Sequence, residues 1–310
     1  MRSLGTYYSI LRKKGFYTCL RELKKAVWPV WWTHSKAAIE QIQAERASSY
    51  LFRHYGALIA KPLEETATTP EPARIVWLCW LQGMEQAPEI VQQCVASVQH
   101  YMPNYDVHVL TAENIFEYVS LPEHIVKKYQ KGTITFTHFS DILRTALLVQ
   151  RGGIWMDATV LLTDAIPAYM TDAPLFFLQK SILNSMPHAG SSWLLAAQKG
   201  NPVLRRVLDL LYAYWKRENK LRDYYLFHLF LYLVLTRNTQ GAEALKAMTY
   251  VPNVDAHTLQ FRLFESYSPS GWEQVTTRSA IHKLTWKFNH NEPLDKKGTY
   301  YDYILHHLHL

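Results

Sequence analysis

One carboxylate stands in a stretch of sequence otherwise suited to a buried strand. Asp157 lies within Gly152-Gly153-Ile154-Trp155-Met156-Asp157-Ala158-Thr159, which runs on into Val160-Leu161-Leu162. An unpaired buried carboxylate costs several kcal/mol or protonates, so Asp157 needs a cation or strong donors beside it. A divalent ion is one such partner. Thr159, sharing a strand face with Trp155 and Asp157, could add a hydroxyl or order a metal-bound water. An Asp at a strand end bonded to backbone amides satisfies the same requirement. Just upstream, His138, Asp141, Arg144 and Thr145 recur at i, i+3, i+6 and i+7, one polar face of a helix predicted over 136–150. That face points toward the Gly152-Gly153 turn and so toward Asp157. An Asp acceptor beside an Arg donor suits sugar hydroxyls, and Arg also suits phosphate. An ordinary intrahelical ion pair is the simpler alternative.

The elements that must position these groups alternate between strand and helix. Residues 74–81 form a compact apolar run that predicts a buried strand, 88–100 a helix, 105–110 a strand and 112–119 a helix. The helix ending at Gly152-Gly153 is followed by a predicted strand over 154–162. Such alternation implies an α/β domain with a doubly wound, mostly parallel sheet, whose ligands bind at the carboxyl ends of the strands. The second half reads as helix-rich, with Asn201-Pro202 as a helix start leading into 203–215. The apolar run from Tyr224 to Leu235, broken by His228, is short for a membrane span and reads as a buried helix.

Composition bounds the partners. The 310 residues are 48% apolar and 19% charged, a folded chain with a sizeable core. Residues 1–61 carry 11 Lys and Arg against 3 Asp and Glu, while 62–310 carry 22 against 23, so the whole basic excess sits at the N-terminus. This divides the chain into a basic helical extension (1–61), a Pro-, Thr- and Glu-rich linker (62–73) and a main domain (74–310). Basic residues beside Trp28, Trp31 and Trp32 suit an anionic membrane surface; a helical hairpin with a solvated basic face is the alternative. Nucleic acid is not expected as a partner, because the body of the protein is electrically neutral and the basic arm accounts for nothing between 138 and 159. Three widely spaced cysteines form neither a metal pattern nor a disulfide framework, which suits a reducing compartment. No signal-peptide pattern is visible, and the expectation is a cytoplasmic protein, peripheral on the inner face of the cell membrane.

Taken together, Ile75-Val76-Trp77-Leu78-Cys79-Trp80-Leu81-Gln82-Gly83, Ser140-Asp141-Ile142-Leu143-Arg144, the Gly152–Thr159 segment, Trp193 to Pro202, and Ile281-His282-Lys283-Leu284-Thr285-Trp286-Lys287 resemble the bacterial capsular polysaccharide synthesis family. Its members are akin to Och1-type mannosyltransferases and the clostridial glucosylating toxins. The resemblance spans about residues 74–287 and implies a GT-A fold: a Rossmann-like sheet that binds a nucleotide-sugar, UDP-linked, through Mn²⁺ or Mg²⁺ at an Asp-x-Asp motif. By that resemblance Trp77, Trp80 and Gln82 surround the base and ribose, with Trp155 beside the donor. Asp141 and Arg144, joined by His138, hold the donor sugar. Asp157 binds the ion, and His282 and Lys283 close over the pyrophosphate, with His282 and Thr159 completing the metal set. The second Asp of the motif is Thr159 in this chain, which makes a weaker metal site. The implied activity is transfer of a hexose, with retention, to a glycan acceptor such as a lipid-linked oligosaccharide. Asp141, Arg144, Asp157 and Lys283 are its catalytic group. A sugar-nucleotide-binding protein without turnover is the competing reading, kept open by Thr159.

Overall fold

The computed structural model describes residues 35–64, 72–288, 297–308 and 310, with isolated positions 8, 11, 12, 16, 19 and 20 before them. The basic, Trp-rich stretch around 28–32 and most of the expected linker lie outside the described residues.

A five-stranded sheet forms the centre, in the order β2 (Asp106–Leu110), β1 (Ile75–Cys79), β3 (Gly153–Met156), β6 (Gly190–Ala197) and β5 (Leu175–Gln179). β1 pairs in parallel with both β2 and β3, while β6 runs antiparallel between β3 and β5. Four strands therefore share a direction and one opposes it, the mostly parallel α/β sheet that the sequence implies. The chain leaves β1 to one side, through α2 (Glu89–Tyr101) to β2. It then passes α3 (Ile115–Tyr118), α4 (Glu123–Gln130) and α5 (Phe136–Arg151) before returning on the other side of β1 as β3. That reversal opens a crevice at the carboxyl ends of β1 and β3, the usual ligand position in such sheets.

Period-two alternation sends side chains to two cores. Trp77 of β1, Trp155 of β3 and Leu195 of β6 join the core under α1 (Lys36–Ala60), α5, α7 (Pro202–Arg217) and α8 (Leu226–Arg237). Val76, Leu78, Ile154, Met156 and Leu194 face the opposite core. There they meet α2, a two-stranded sheet of β4 (Val160–Leu162) with β7 (Ile281–Lys283), α10 (Val254–Arg262) and α12 (Tyr300–His306). The helices α6 (Ala168–Thr171), α9 (Thr239–Ala247) and α11 (Pro269–Arg278) complete the fold. Residues 36–60 share the main core: Leu51, Tyr55 and Ile59 of α1 are buried in it, and Arg206 donates to the carbonyls of Lys61 and Pro62 at 2.9 Å.

Two corrections to the expected elements bear on the site. The strand expected over 154–162 is two strands in different sheets, with residues 157–159 as the turn between them. Asp157 therefore sits just past the end of β3, where its carboxylate need not be fully buried. The helix-rich second half also carries β5, β6 and β7. β6 is buried along its whole length, so it shows no hydrophobic alternation.

Thr135 caps α5, accepting from the His138 amide at 3.5 Å, and the helix ends at Gly152 with φ 74°. Gly153 has φ 96°, and a Cβ there would lie 2.5 Å from the Ile75 carbonyl oxygen. Neither the backbone conformation nor the space admits a side chain. Gly153→Ala is expected to cost about 2–4 kcal/mol by forcing β3 away from β1. A thermal melt should show the midpoint lowered by roughly 5 °C or more. An unchanged melt would mean the turn relaxes freely.

Candidate active site

Asp157 occupies the carboxyl end of β3, its amide donating to the Trp193 carbonyl at 2.8 Å. Its carboxylate accepts from the Trp155 indole N–H at 3.1 Å and lies 3.5 Å from Arg144 Nη2 and 3.8 Å from Lys283 Nζ. The side chain is 29% exposed, so it reaches solvent while held from three sides. Of the cation or strong donors that Asp157 needs, the protein supplies two cations and the Trp155 N–H.

Arg144 is fixed as firmly as a guanidinium can be. It donates to the Ser140 carbonyl (3.1 Å), the Ser192 carbonyl (2.6 Å) and the Ser140 hydroxyl (2.7 Å), and its plane lies 5.0 Å from the Trp155 ring centre. Asp141, one turn earlier on α5, places Oδ1 3.6 Å from Arg144 Nε and Oδ2 3.7 Å from His138 Nδ1. Burial alone would raise the Asp141 carboxyl. The Arg144 charge, with His138 and His228 nearby, outweighs burial and holds it below the usual carboxylate range. Lys283 crosses from β7: its ammonium donates to the Thr159 hydroxyl, and to the Leu284 carbonyl at 3.2 Å. Two carboxylates and two cations thus alternate across the crevice. Cys79 at the end of β1 senses Arg144 and Asp157, but burial pushes its thiol up to about 12. It is a neutral neighbour and not a nucleophile.

Asp141, Arg144, Asp157 and Lys283 are therefore brought together, with Trp155 and Thr159 bracing them. His138 joins through Asp141. Trp80 follows directly on β1 and lies edge-on to Trp286, with ring centres 5.4 Å apart. Its indole N–H is buried without a hydrogen-bond partner. Gln82 is exposed in the turn after β1.

Two expected residues are not at the site. Trp77 is 1% exposed, donates to the Gly152 carbonyl at 2.9 Å and stacks on His108, so it holds the Gly152-Gly153 turn and offers no face to a base. His282 is wholly buried, its Nε2 3.0 Å from the Thr163 hydroxyl. Neighbouring residues of β7 face opposite ways, so Lys283 reaches the crevice and His282 cannot. The expected metal set consequently shrinks to Asp157: His282 is turned away and the Thr159 hydroxyl is taken by Lys283. No group of three or more His, Cys, Asp or Glu that could hold an ion occurs among the described residues. Trp286 was missed as an individual residue. Its distance from Trp80 in sequence hides the pairing, which only the β4–β7 contact creates.

His282 carries a stability prediction. Burial pushes its pKa down to about 4. The unfolded chain, with an ordinary imidazole near 6.5, then binds more protons through the interval between, so stability falls as pH drops from about 6.5 toward 4. Denaturant midpoints at pH 7 and pH 4.5 should show a loss of which on the order of 2 kcal/mol disappears in His282→Leu. An equal loss in the variant would refute the assignment.

The O-glycosyltransferase braB of Annulohypoxylon truncatum is 28% identical over 156 residues, 45% of this chain, which spans only 37% of that protein's length. Among solved structures, the PaToxG glycosyltransferase superposes loosely, with a TM-score of 0.35 and 14% identity over 76% of this chain and 95% of that one. The family described as capsular polysaccharide synthesis protein matches residues 24–304, which includes every residue of the charged crevice, and the chain belongs to that family.

Proposed function

We propose that the protein is a glycosyltransferase moving a hexose from a nucleotide-sugar, UDP-linked, to a glycan acceptor in bacterial surface polysaccharide synthesis. The observation that carries this is the charge group Asp141, Arg144, Asp157 and Lys283 at the carboxyl ends of β1 and β3, with Trp80 directly after β1 paired to Trp286. Aromatic edges and faces of this kind suit a uracil ring.

In glycosyl transfer the bond from anomeric carbon to diphosphate oxygen breaks and negative charge builds on the departing diphosphate, while the sugar passes through an oxocarbenium-like state. Lys283, 18% exposed, is the cation that can turn to that charge. Arg144, anchored to backbone carbonyls, keeps Asp141 ionised and holds Asp157 in place. A divalent ion, Mn²⁺ or Mg²⁺, would belong to the donor's diphosphate and meet the protein at Asp157, adding Lewis-acid charge at the leaving group. The acceptor hydroxyl then attacks from the face the diphosphate leaves and passes its proton to the departing diphosphate oxygen, which retains the anomeric configuration.

The acceptor proposed is a lipid-linked oligosaccharide at an anionic leaflet on the cytoplasmic side. In support, an open groove of about 420 Å³ is lined by Arg46 and Arg53 of α1 and by Arg222, three cations against the one carboxylate of Glu45. No helix among the described residues is long and apolar enough to cross a membrane.

The test is a thermal-shift screen of nucleotides and nucleotide-sugars, since a ligand that binds only the folded state raises the melting temperature. UDP and at least one UDP-hexose should raise it. Absence of any shift with every nucleotide-sugar would end the proposal, and an inverted anomer in the product by NMR would end its stereochemical part.

A further inference from the structure

The loop between β5 and β6, residues 180–189, carries a pair of side chains that folding alone does not explain. Its tip is a tight turn, Ser181-Ile182-Leu183-Asn184, closed by the Asn184 amide donating to the Ser181 carbonyl at 2.9 Å. Turn corners favour Gly, Pro, Asn, Asp and Ser, and a solvated corner gains nothing from an apolar group. Here both corners are branched aliphatic residues, Ile182 at 83% and Leu183 at 90% exposure. The loop conformation is firmly built. The Met186 amide donates to Asn184 Oδ1 at 2.9 Å, the Lys180 ammonium to the Met186 carbonyl, and the Lys180 amide to the Ala189 carbonyl at 3.1 Å. His188 fastens the loop to α8, its ring 5.4 Å from His228 and 4.6 Å from Tyr225.

The surface continuous with this tip is basic. Ser185 Oγ donates to Gln41 Oε1 of α1 at 2.9 Å, and Gln41 Nε2 donates to Glu45 at 3.0 Å. Glu45 in turn lines the groove of Arg46, Arg53 and Arg222. Among the described residues no acidic side chain lies within ion-pair distance of these three guanidiniums. The other acids of this face are engaged: Glu40 lies 3.8 Å from Lys36, and Asp223 accepts from the Tyr225 amide at 2.8 Å. Tyr224, just past Arg222 and 62% exposed, adds an amphipathic ring.

The position of the loop relates it to the crevice. β5 runs in the direction of β1 and β3, so the loop that follows it lies at the same end of the sheet as the charge group. Ser192, just inside β6, accepts from Arg144 at 2.6 Å. The basic, Trp-rich stretch of the sequence joins the described chain at Ser35, at the start of the helix that holds the loop. We infer that this face docks on an anionic lipid bilayer. Ile182 and Leu183 enter the headgroup–acyl boundary, Arg46, Arg53 and Arg222 meet lipid phosphates, and the crevice end of the sheet turns toward the membrane. A stable protein interface needs a charge-poor apolar core within about 800 Å² per partner, which two side chains on a narrow turn do not supply. The inference rests on the proposed lipid-linked acceptor and adds to it the surface that meets the lipid and the orientation of the sheet.

The test is co-sedimentation of the full chain with phosphatidylcholine vesicles, with and without phosphatidylglycerol. The wild type should bind the anionic vesicles at least about tenfold more tightly than the neutral ones. Ile182→Ser/Leu183→Ser should lower the affinity for anionic vesicles by about tenfold or more, the loss expected when two aliphatic side chains no longer leave water. Both residues are exposed, so its melting temperature should match the wild type. Leu183→Trp, which suits the membrane boundary, should bind as tightly as the wild type. Unchanged affinity in the double serine variant overturns the contact, and so does a wild type that binds neither vesicle. Sedimentation velocity without lipid decides the rival occupant: a wild-type dimer that the serine variant dissolves assigns the face to a second copy and overturns the membrane. The transferase reading fails separately, through the absence of any thermal shift with UDP-hexoses. The double serine variant should keep the wild-type shift, and a shift lost only in that variant gives the loop to the donor and overturns the contact as well.

Discussion

Arg144→Met is expected to cost the protein about 3–5 kcal/mol, the largest loss from any single change in the crevice. The guanidinium is 6% exposed and satisfies the Ser140 and Ser192 carbonyls while neutralising Asp141 and Asp157. Methionine fills much of the volume but takes away the donors that Arg144 gives the Ser192 carbonyl and the Ser140 hydroxyl, and leaves Asp141 as a buried charge with no cation. The sign of the pH dependence identifies the cause. In the wild type the Asp141 carboxyl is held below its usual range, so its contribution is present above the unfolded carboxylate pKa and is lost as pH falls through the folded one. Without Arg144, burial dominates and raises the Asp141 pKa, so the variant relieves its penalty by protonating. The gap between variant and wild type in urea denaturation should be widest near pH 7 and narrow toward pH 4. A gap that is constant with pH would assign the loss to packing alone.

Lys283→Met should separate chemistry from folding. Asp157 keeps Arg144 and the Trp155 N–H as partners, so the charge group survives the loss of one cation. Stability is expected to move by less than about 1 kcal/mol. Turnover is expected to fall by about 10²–10³-fold, the range seen when one preorganised group facing a developing negative charge is removed. Steady-state release of UDP from the preferred donor, beside a denaturation curve, checks both halves. A variant that folds and turns over at the wild-type rate would remove Lys283 from the mechanism.

What the sequence made legible, and what it hid, follows from periodicity. The polar face of α5 was visible because His138, Asp141 and Arg144 repeat at helical spacing, and the structure links them in a row that reaches Asp157 through Arg144. The buried stripe of α1, Ala44, Ala47, Leu51, Tyr55 and Ile59, is equally regular, yet the charge of its segment drew attention away from it. Two assignments failed against a rule already in hand. Trp77 and Trp80 are three apart, so in one strand they face opposite cores. His282 and Lys283 are adjacent, so only one of them can reach the crevice. The split of β3 from β4 at Asp157 was hidden because apolar residues continue on both sides of the turn. His188 and His228 could not have been paired from sequence, since a loop and a helix meet only through tertiary packing.

The most direct measurement is release of UDP from a panel of UDP-hexoses with a glycan acceptor present, wild type against Asp157→Ala. The account predicts steady release from at least one donor by the wild type and a loss of about 10²-fold or more in the variant. No release from any donor, or release by Asp157→Ala at the wild-type rate, would contradict it.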